Sequence, residues 1–328
     1  MRVMPRVDSH DHVLVIGAGV IGLTTAITLA EAGVPTTVWA ADPIEATTSY
    51  AAGASWGVHL LPMADPDARE RVTGWSAVTL DVLRSLAQDP WTGVRVAAGI
   101  EACRRPTAAP DWGAVVGGLR ECTPDELPPG YAVGWKHRLP IVDMPVYLDY
   151  LRRRLTAAGV TIEHHHVGSL HEAVTAARVV VNCAGVGARD LTGDASLVPV
   201  RGQVVIVANP GLTEFFADGP DDSADLTYFF PHGDMVLLGG TADVGDWSRT
   251  PDPAVAAAII ERCAAIDPRL RDAPVLGHRV GLRPGRPEPR LEAEAFGSAR
   301  VVHNYGHGGS GVTLAWGCAA EAAALATV

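Results

Sequence analysis

The stretch VLVIGAGVIGLTTAITLA, residues 13–30, decides the fold. Its first four residues are typical of a buried parallel strand, and the residues after the glycines are typical of a helix. Gly17, Gly19 and Gly22 form the pattern GxGxxG between the two. The first glycine permits a tight turn, the second lets a diphosphate approach the main chain, and the third lets helix and strand pack closely. The stretch therefore predicts a β-α unit that binds a dinucleotide at the helix N-terminus.

Two further features of a dinucleotide site follow along the chain. Asp42 lies after the second predicted strand, TTVWA (36–40), and twenty residues beyond Gly22. An acid at that place holds ribose hydroxyls and favours NAD or FAD over NADP. The stretch TTSYAAGASW (47–56) then offers hydroxyls for phosphate and small residues beside a flat ring, although an ordinary polar loop fits the same composition. The candidate cofactor contacts in this part of the chain are Gly17, Ala18, Gly19, Val20, Ile21, Gly22, Asp42, Thr47, Thr48, Ser49, Gly53 and Ala54.

A second glycine turn, NYGHGGSGVTLAWG (304–317), precedes a predicted helix that starts near Val312. The N-terminus of this helix would stabilise negative charge, such as the charge of a reduced flavin. The alternative is a glycine-rich entry into a C-terminal helix.

Composition excludes several classes of function. The 328 residues carry a formal net charge of −11, which gives no overall attraction to nucleic acid or to anionic membranes. Hydrophobic residues make up 48%, as expected for a globular enzyme. The cysteines are scattered without a CxxC pair, so we expect no disulfide framework, no zinc site and a cytoplasmic location. They are Cys103, Cys122, Cys183, Cys263 and Cys318.

The order of the patterns predicts two domains. Parallel β-α pieces at the start, middle and end of the chain bracket antiparallel strands, with a hairpin that turns at residues 231–234. Residues 62–142 are expected to be irregular apart from one helix at about 72–87. We therefore predict an α/β plus antiparallel β fold, with a Rossmann-like nucleotide domain and a second domain inserted into it. The nucleotide domain comprises residues 1–60, 143–198 and 296–328, and the second comprises residues 61–142 and 199–295.

Four stretches together resemble the signatures of the D-amino-acid oxidase family. They are VIGAGVIGLTTA (15–26), YFFPHGDMVLLGGT (228–241), GLRPGRPEPRLE (281–292) and HNYGHGGSGVTLAWGCA (303–319). The resemblance implies FAD as the cofactor and a substrate domain with a large mixed or antiparallel sheet. It also implies oxidative deamination of neutral D-amino acids by hydride transfer to flavin N5. The products would be a 2-oxo acid, ammonia and H2O2.

The resemblance also implies roles for individual residues. Arg283 matches the arginine that binds the substrate carboxylate, and Tyr228 matches the tyrosine whose hydroxyl assists it. Gly309 matches the glycine whose carbonyl accepts a hydrogen bond from the substrate amine. The three remaining arginines of the stretch 279–292 are expected to pair with acids such as Glu288 or Glu292; they are Arg279, Arg286 and Arg290. Further cofactor contacts are implied for Val167, Ser310, Gly311, Val312 and Thr313.

The sequence departs from the family pattern at one position and leaves rival functions open. Mammalian members carry a second tyrosine on a lid, four residues before the position of Tyr228, and here that position is Ala224. The rivals are glycine, sarcosine or D-aspartate oxidation on the same fold, an NAD-dependent dehydrogenase, and a non-enzymatic flavin-binding protein. The expected partners are a D-amino acid and O2, with no nucleic acid and no membrane, and a homodimer is the candidate assembly. No metal is expected, because His164–His166 alternate along a strand and cannot converge on one ion.

Overall fold

A computed structural model describes residues 12–58, 61, 64–110, 112–219 and 225–328. One of its two sheets has six strands, which run parallel except for the antiparallel hairpin at one edge. Its spatial order is β15 (Arg290–Phe296), β16 (Ala299–Tyr305), β8 (Val179–Asn182), β1 (Val13–Ile16), β2 (Thr36–Ala40) and β7 (Ile162–His164). This is the parallel sheet that the first β-α unit predicts.

The second sheet is larger and mainly antiparallel. Its spatial order is β13 (Asp243–Val244), β9 (Val198–Ala208), β12 (Met235–Thr241), β11 (Asp225–His232), β10 (Phe215–Asp218), β4 (Val94–Cys103), β6 (Val133–Val142) and β3 (Ala54–Ser55). In addition, β14 (Val275–Gly285) pairs with β9, and β5 (Arg120–Glu121) pairs with β6. The α/β plus antiparallel fold class is therefore confirmed.

The helices cover both sheets. They are α1 (Val20–Glu31), α2 (Thr48–Ala51), α3 (Pro66–Leu86), α4 (Gly113–Val116), α5 (Met144–Ala157), α6 (Leu170–Ala176), α7 (Ala188–Thr192), α8 (Pro253–Ile266) and α9 (Gly311–Thr327). Helix α9 lies against α1, where Thr24 Oγ1 donates to the carbonyl of Ala315 at 3.3 Å. Helix α3 packs on α9 at Gly317, where a Cβ would lie only 2.3 Å from Cα of Trp75. These contacts place the start of α9 beside the start of α1.

The first glycine turn has the geometry that its sequence predicts. Gly17 adopts a φ of 105°, in the region that favours glycine. A Cβ on Gly22 would lie 1.9 Å from the carbonyl oxygen of Gly17, so the third glycine is required for the helix to approach the strand. All four residues of β1 are buried. At the far end of α1, Gly33 has a φ of 83° and ends the helix as predicted.

The expectation for residues 62–142 was wrong. Within the described part of this range, α3 is longer than expected, and β4 and β6 pair with each other over ten residues each. Their sequences, VRVAAGIEAC and VGWKHRLPIV, show little alternation of apolar and polar residues. They are stabilised as strands by pairing with each other across thirty or more residues of sequence, which overrides weak local preference.

The proposed division into domains stays a prediction; one strand crosses its boundaries and another pairs across them. Strand β15 begins at Arg290, inside the range 199–295, but belongs to the six-stranded sheet. Strand β3, inside the range 1–60, pairs with β6 in the larger sheet.

The predicted hairpin is present, with β11 continuing through His232 and the turn at Gly233 and Asp234.

Glu101 on β4 makes the stability of this fold depend on pH. Its side chain is buried, and burial raises the pKa of Glu101 to about 7. The unfolded carboxyl titrates near its ordinary value, so between about pH 4.5 and 7 the folded state holds more protons on this carboxyl than the unfolded state does. The contribution of Glu101 to the free energy of unfolding therefore falls as pH rises, by roughly 3 kcal/mol across that interval.

We expect Glu101→Gln to remove this unfavourable contribution. Urea unfolding at pH 5 and pH 8 should show the variant gaining stability relative to the wild type at the higher pH. Glu121→Gln, at an exposed carboxylate on β5, is the control and should follow the wild type. Parallel pH profiles for wild type and Glu101→Gln would contradict the assignment.

Candidate functional site

A cleft with about 810 Å³ of empty space, part of it open to solvent, lies where the two glycine turns meet α2 and the larger sheet. The structure brings eleven of the predicted site residues together in its lining. They are Gly19, Val20, Ile21, Thr48, Ser49, Gly53, Tyr228, Arg283, Gly309, Gly311 and Val312. Residues from the start, middle and end of the chain thus form one site, as the order of the motifs predicts.

Two helix N-termini open on this cleft. Helix α1 begins at Val20, with Gly19 as an N-cap that has no side chain, and α9 begins at Gly311. Residues at both starts line the cleft. Because main-chain N–H groups at a helix start carry partial positive charge, the cleft favours anionic groups at two places. Ser49 lies at the first of them, where its Oγ accepts a hydrogen bond from Val20 N at 2.9 Å.

Arg283 supplies a fixed positive charge. It lies on β14 opposite Val200 of β9, and its Nη1 donates to the carbonyl of Thr241 at 2.8 Å. The guanidinium lies over Gly202, where a Cβ would be 2.3 Å from Nη1. Among the described residues, no carboxylate forms an ion pair with Arg283. Its charge is therefore available to an anionic ligand in the cleft.

Tyr228 lies beside this arginine. Its ring lies over Gly239 and Gly240, where a Cβ would lie 1.9 Å from Cζ and 2.9 Å from the hydroxyl oxygen respectively. Burial raises the pKa of Tyr228, and the positive charge of Arg283 opposes the shift. The hydroxyl therefore stays protonated and can donate a hydrogen bond. Tyr228 packs near Phe230, whereas Phe229 lies in a different apolar cluster, because successive side chains of a strand point to opposite faces.

The second glycine turn carries Gly309 into the cleft. Gly306 and Gly308 have φ values of 83° and 54°, which allow the tight turn before α9. The N–H of Gly308 donates to the carbonyl of Pro284 at 2.9 Å. Since Pro284 follows Arg283 directly, the turn that presents Gly309 is bonded to the strand that presents the arginine.

The other predicted contacts lie outside the lining of the cleft. They are Gly17, Ala18, Gly22, Asp42, Thr47, Ala54, Val167, Ser310 and Thr313. Asp42 is exposed, and its Oδ2 lies 3.4 Å from Nη1 of Arg249. The hydroxyl of Thr47 bonds to Ile44 and Tyr50, and that of Thr313 bonds to both main-chain groups of Gly57. Their roles in binding a cofactor stay predictions.

Thr48 lines the cleft, but its hydroxyl is already engaged by the protein. It donates to the carbonyl of Leu282 at 2.9 Å and accepts from the N–H of the same residue at 3.2 Å. The pair of bonds attaches α2 to β14 next to Arg283. Thr48 thus supports the arginine strand in this structure, which the sequence alone did not suggest.

Sequence reasoning did not assign a further twelve residues of the described cleft wall, and these include Gly202, Asn304, Tyr305 and His307. Gly202 had a usable signal, because a glycine inside a strand often marks a close approach. Asn304 and His307 are buried, and Asn304 Oδ1 and His307 Nε2 have no hydrogen-bond partner in the described part of the chain. Burial lowers the pKa of His307 to about 4, so its imidazole is neutral at pH 7. The wall thus holds two buried polar atoms that a ligand could satisfy.

Two arginines near the cleft are paired, as predicted, although one partner differs. Arg290 Nε lies 2.7 Å from the carboxylate of Glu292. Arg286 Nε lies 2.9 Å from the carboxylate of Asp194, and only its Nη1 contacts Glu288, through the main-chain carbonyl.

The expectation that Arg279 pairs with an acid was wrong. Its guanidinium lies 5.3 Å from the ring centroid of Tyr50, and no carboxylate of the described residues forms an ion pair with it. Burial lowers the pKa of Arg279. An aromatic face replaces the expected carboxylate because Tyr50, on α2, lies against this part of β14.

Three further features concern the predicted partners. Ala224 lies outside the described residues. Within those residues, no helix has the length and apolar character needed to cross a membrane. The same residues contain no group of three or more His, Cys, Asp or Glu side chains arranged to hold a metal ion.

The comparisons with known proteins all indicate a family of FAD-dependent oxidoreductases. Residues 12–325 match the family described as "DAO: FAD dependent oxidoreductase". A D-amino-acid oxidase from Rubrobacter xylanophilus is 53% identical over 95% of each chain, and one from Streptomyces coelicolor is 47% identical over 98% of each chain. The crystal structure of glycine oxidase from Geobacillus kaustophilus superposes with a TM-score of 0.78 at 19% identity, covering 96% of this chain and 94% of that one.

We expect Gly19→Val to weaken FAD binding at least tenfold. A Cβ at Gly19 would lie 3.2 Å from Ser49 Oγ, which must shift by a few tenths of an ångström, and the added side chain takes space from the cleft at a helix N-terminus. Flavin absorbance of the purified protein and titration of the apoprotein with FAD measure the effect. Gly74→Val is the matched control, because a Cβ at exposed Gly74 on α3 meets no atom within 4 Å. Equal FAD affinity in the two variants would contradict the placement of Gly19.

Proposed function

Because the chain belongs to the DAO family of FAD-dependent oxidoreductases, we propose that it oxidises neutral D-amino acids with FAD and O2. The similarity to two proteins named D-amino-acid oxidase, over nearly the whole of each chain, supports this activity. The observation in the structure that carries the proposal is Arg283, a cation in the cleft with no acidic partner among the described residues, beside the hydroxyl of Tyr228.

The residues of the cleft fit FAD. The two helix N-termini suit its diphosphate and the negative charge of a reduced flavin. The unsatisfied Asn304 Oδ1 and His307 Nε2 offer polar partners in the wall. We propose that Gly19, Val20, Ile21 and Ser49 hold the diphosphate and that Gly311 and Val312 lie at the flavin. When bound, FAD supplies the acceptor for the hydride from the substrate Cα and passes the electrons to O2, which gives H2O2.

Arg283, Tyr228 and Gly309 would orient the substrate. The planar guanidinium keeps its charge at every relevant pH and can bind a carboxylate through two parallel hydrogen bonds. The hydroxyl of Tyr228 would donate a further bond to the carboxylate, and the carbonyl of Gly309 would accept one from the amine. Holding both groups fixes the direction of the Cα–H bond, which is an orientation effect. No general base is needed on the protein when the amine is neutral, and the imino acid hydrolyses in water to the 2-oxo acid and ammonia.

The charge of the cleft favours neutral substrates over acidic ones. In the described lining, Arg283 is the one charged side chain, and it is assigned to the α-carboxylate. An acidic D-amino acid would need a second cation to stabilise its side chain when water is excluded. The likeness to glycine oxidase, at 19% identity, concerns the fold. A homodimer and a cytoplasmic location stay predictions.

Anaerobic titration of the purified protein tests the proposal. We expect D-alanine and D-methionine to bleach the flavin absorbance, and L-alanine and D-aspartate to leave it at least tenfold less affected at equal concentration. Flavin that no D-amino acid bleaches would overturn the proposed activity. Preferential bleaching by D-aspartate or glycine would reassign the substrate.

We expect Gly202→Ala to raise KM for D-alanine at least tenfold. The new Cβ would lie within 2.5 Å of three guanidinium atoms of Arg283 and would displace the side chain from its position. A tenfold change corresponds to about 1.4 kcal/mol of lost stabilisation. Steady-state kinetics of H2O2 formation give KM, and bound flavin should be unchanged.

Gly277→Ala is the matched control for this substitution. Gly277 lies on β14 itself, and a Cβ there meets no atom within 4 Å. A wild-type KM in Gly202→Ala, or the same rise in Gly277→Ala, would remove Arg283 from the proposed carboxylate site.

A further inference from the structure

Arg283 and Gly309 come from different sheets, so their separation must be fixed by contacts between the sheets. Arg283 lies near the end of β14 in the larger sheet, and Gly309 follows β16 of the six-stranded sheet. Oxidation requires the carboxylate and the amine of one small molecule to be held at the same time. The main-chain bond from Gly308 N to the carbonyl of Pro284 joins the two segments at one point.

Asp194 connects the same two segments through side chains. Its Oδ2 accepts from Nε of Arg286 at 2.9 Å and from the hydroxyl of Tyr305 at 3.0 Å. Its Oδ1 accepts from the N–H and the hydroxyl of Ser196 at 3.0 and 2.6 Å. The carboxylate is thus bonded on both oxygens, and its side chain is only 13% exposed. It lies outside the lining of the cleft and cannot contact the substrate directly.

Both residues that donate to Asp194 Oδ2 lie close in sequence to the residues proposed to bind the substrate. Arg286 follows Arg283 by three residues, and its stem lies against the second glycine turn, where a Cβ on Gly306 would be 2.9 Å from Cδ of Arg286. Tyr305 is the last residue of β16, directly before that turn. A bond to each therefore fixes the end of β14 and the start of the turn to one oxygen atom.

The charge of Asp194 is constant under the conditions of catalysis. Burial acts to raise its pKa, but hydrogen bonds from Ser196, Arg286 and Tyr305, with the charge of Arg286, hold the pKa well below its usual range. Arg290 Nη1 also donates to the hydroxyl of Tyr305 at 3.1 Å, which directs that hydroxyl's proton toward Asp194. The group therefore acts as a fixed anionic bridge rather than as an acid or base.

We propose that Asp194 is a positioning residue for the oxidation, which sets the turn of Gly309 at the correct distance from Arg283. The inference rests on the proposed function. It assigns to Asp194, Arg286 and Tyr305 the coupling of the carboxylate site to the amine site, distinct from the binding of either group alone. Loss of the bridge leaves each site intact and misaligns one against the other.

The test compares a ligand that needs one site with a substrate that needs both. Benzoate carries a carboxylate and no amine, so its Kd should change less than threefold in Asp194→Ala. The limiting rate of anaerobic flavin reduction by D-alanine should fall at least tenfold in the same variant. Asp194→Asn, which keeps an oxygen acceptor, should recover part of the rate. Glu292→Gln is the control, because it removes an exposed ion pair of Arg290 without contacting Asp194, and should reduce at the wild-type rate.

Several outcomes would overturn the inference. A wild-type rate of flavin reduction in Asp194→Ala would do so, as would a parallel loss of benzoate affinity and reduction rate, which indicates general damage to the site. If Asp194→Ala does not give folded protein with bound flavin, Arg286→Met and Tyr305→Phe decide, since each removes one arm of the bridge; wild-type rates in both reject it. If the wild-type flavin is reduced by no D-amino acid, the proposed function fails, which is a separate result.

Discussion

The close approach of main chains at the first glycine turn is the constraint on which the cleft depends. A Cβ on Gly17 would lie 2.5 Å from the carbonyl oxygen of Cys183, and one on Gly22 would lie 1.9 Å from that of Gly17. Because no side chain separates them, α1 starts directly at the end of β1 and presents its N-terminus to the cleft. Helix α9 packs on α1, so the second glycine turn arrives at the same place. A larger residue at either position would move both helix starts.

The side of the cleft that holds Arg283 and Tyr228 also depends on glycines, whose missing side chains leave the space that these two residues occupy. Gly202 leaves the space that the guanidinium of Arg283 occupies, and Gly239 leaves the space for the ring of Tyr228. A Cβ on Gly281 would lie 3.2 Å from Ala51, so α2 can lie close to β14. The polar groups of the site therefore reach their positions because neighbouring strands carry glycine where a pleated sheet normally carries larger residues.

Local patterns predicted a large part of this arrangement. The strand, glycine turn and helix at 13–30, the hairpin at 231–234 and the second glycine turn are each specified within a few residues, and the structure contains all three. Strands β4 and β6 were missed because they are stabilised by each other across a long separation rather than by their own composition. Asp194 was missed for a related reason: its partners Arg286 and Tyr305 lie 92 and 111 residues away, and an acid in a polar loop has no local signature.

The absence of an acidic partner for Arg283 in the described structure has a consequence for turnover. The 2-oxo acid product carries the same carboxylate as the substrate, so the proposed arginine clamp binds both with similar strength. What distinguishes them is the amine, which the 2-oxo acid lacks together with the proposed hydrogen bond to the carbonyl of Gly309. Accumulated 2-oxo acid would then compete with fresh substrate for the same cation, which links the rate of the enzyme to how quickly its product is removed.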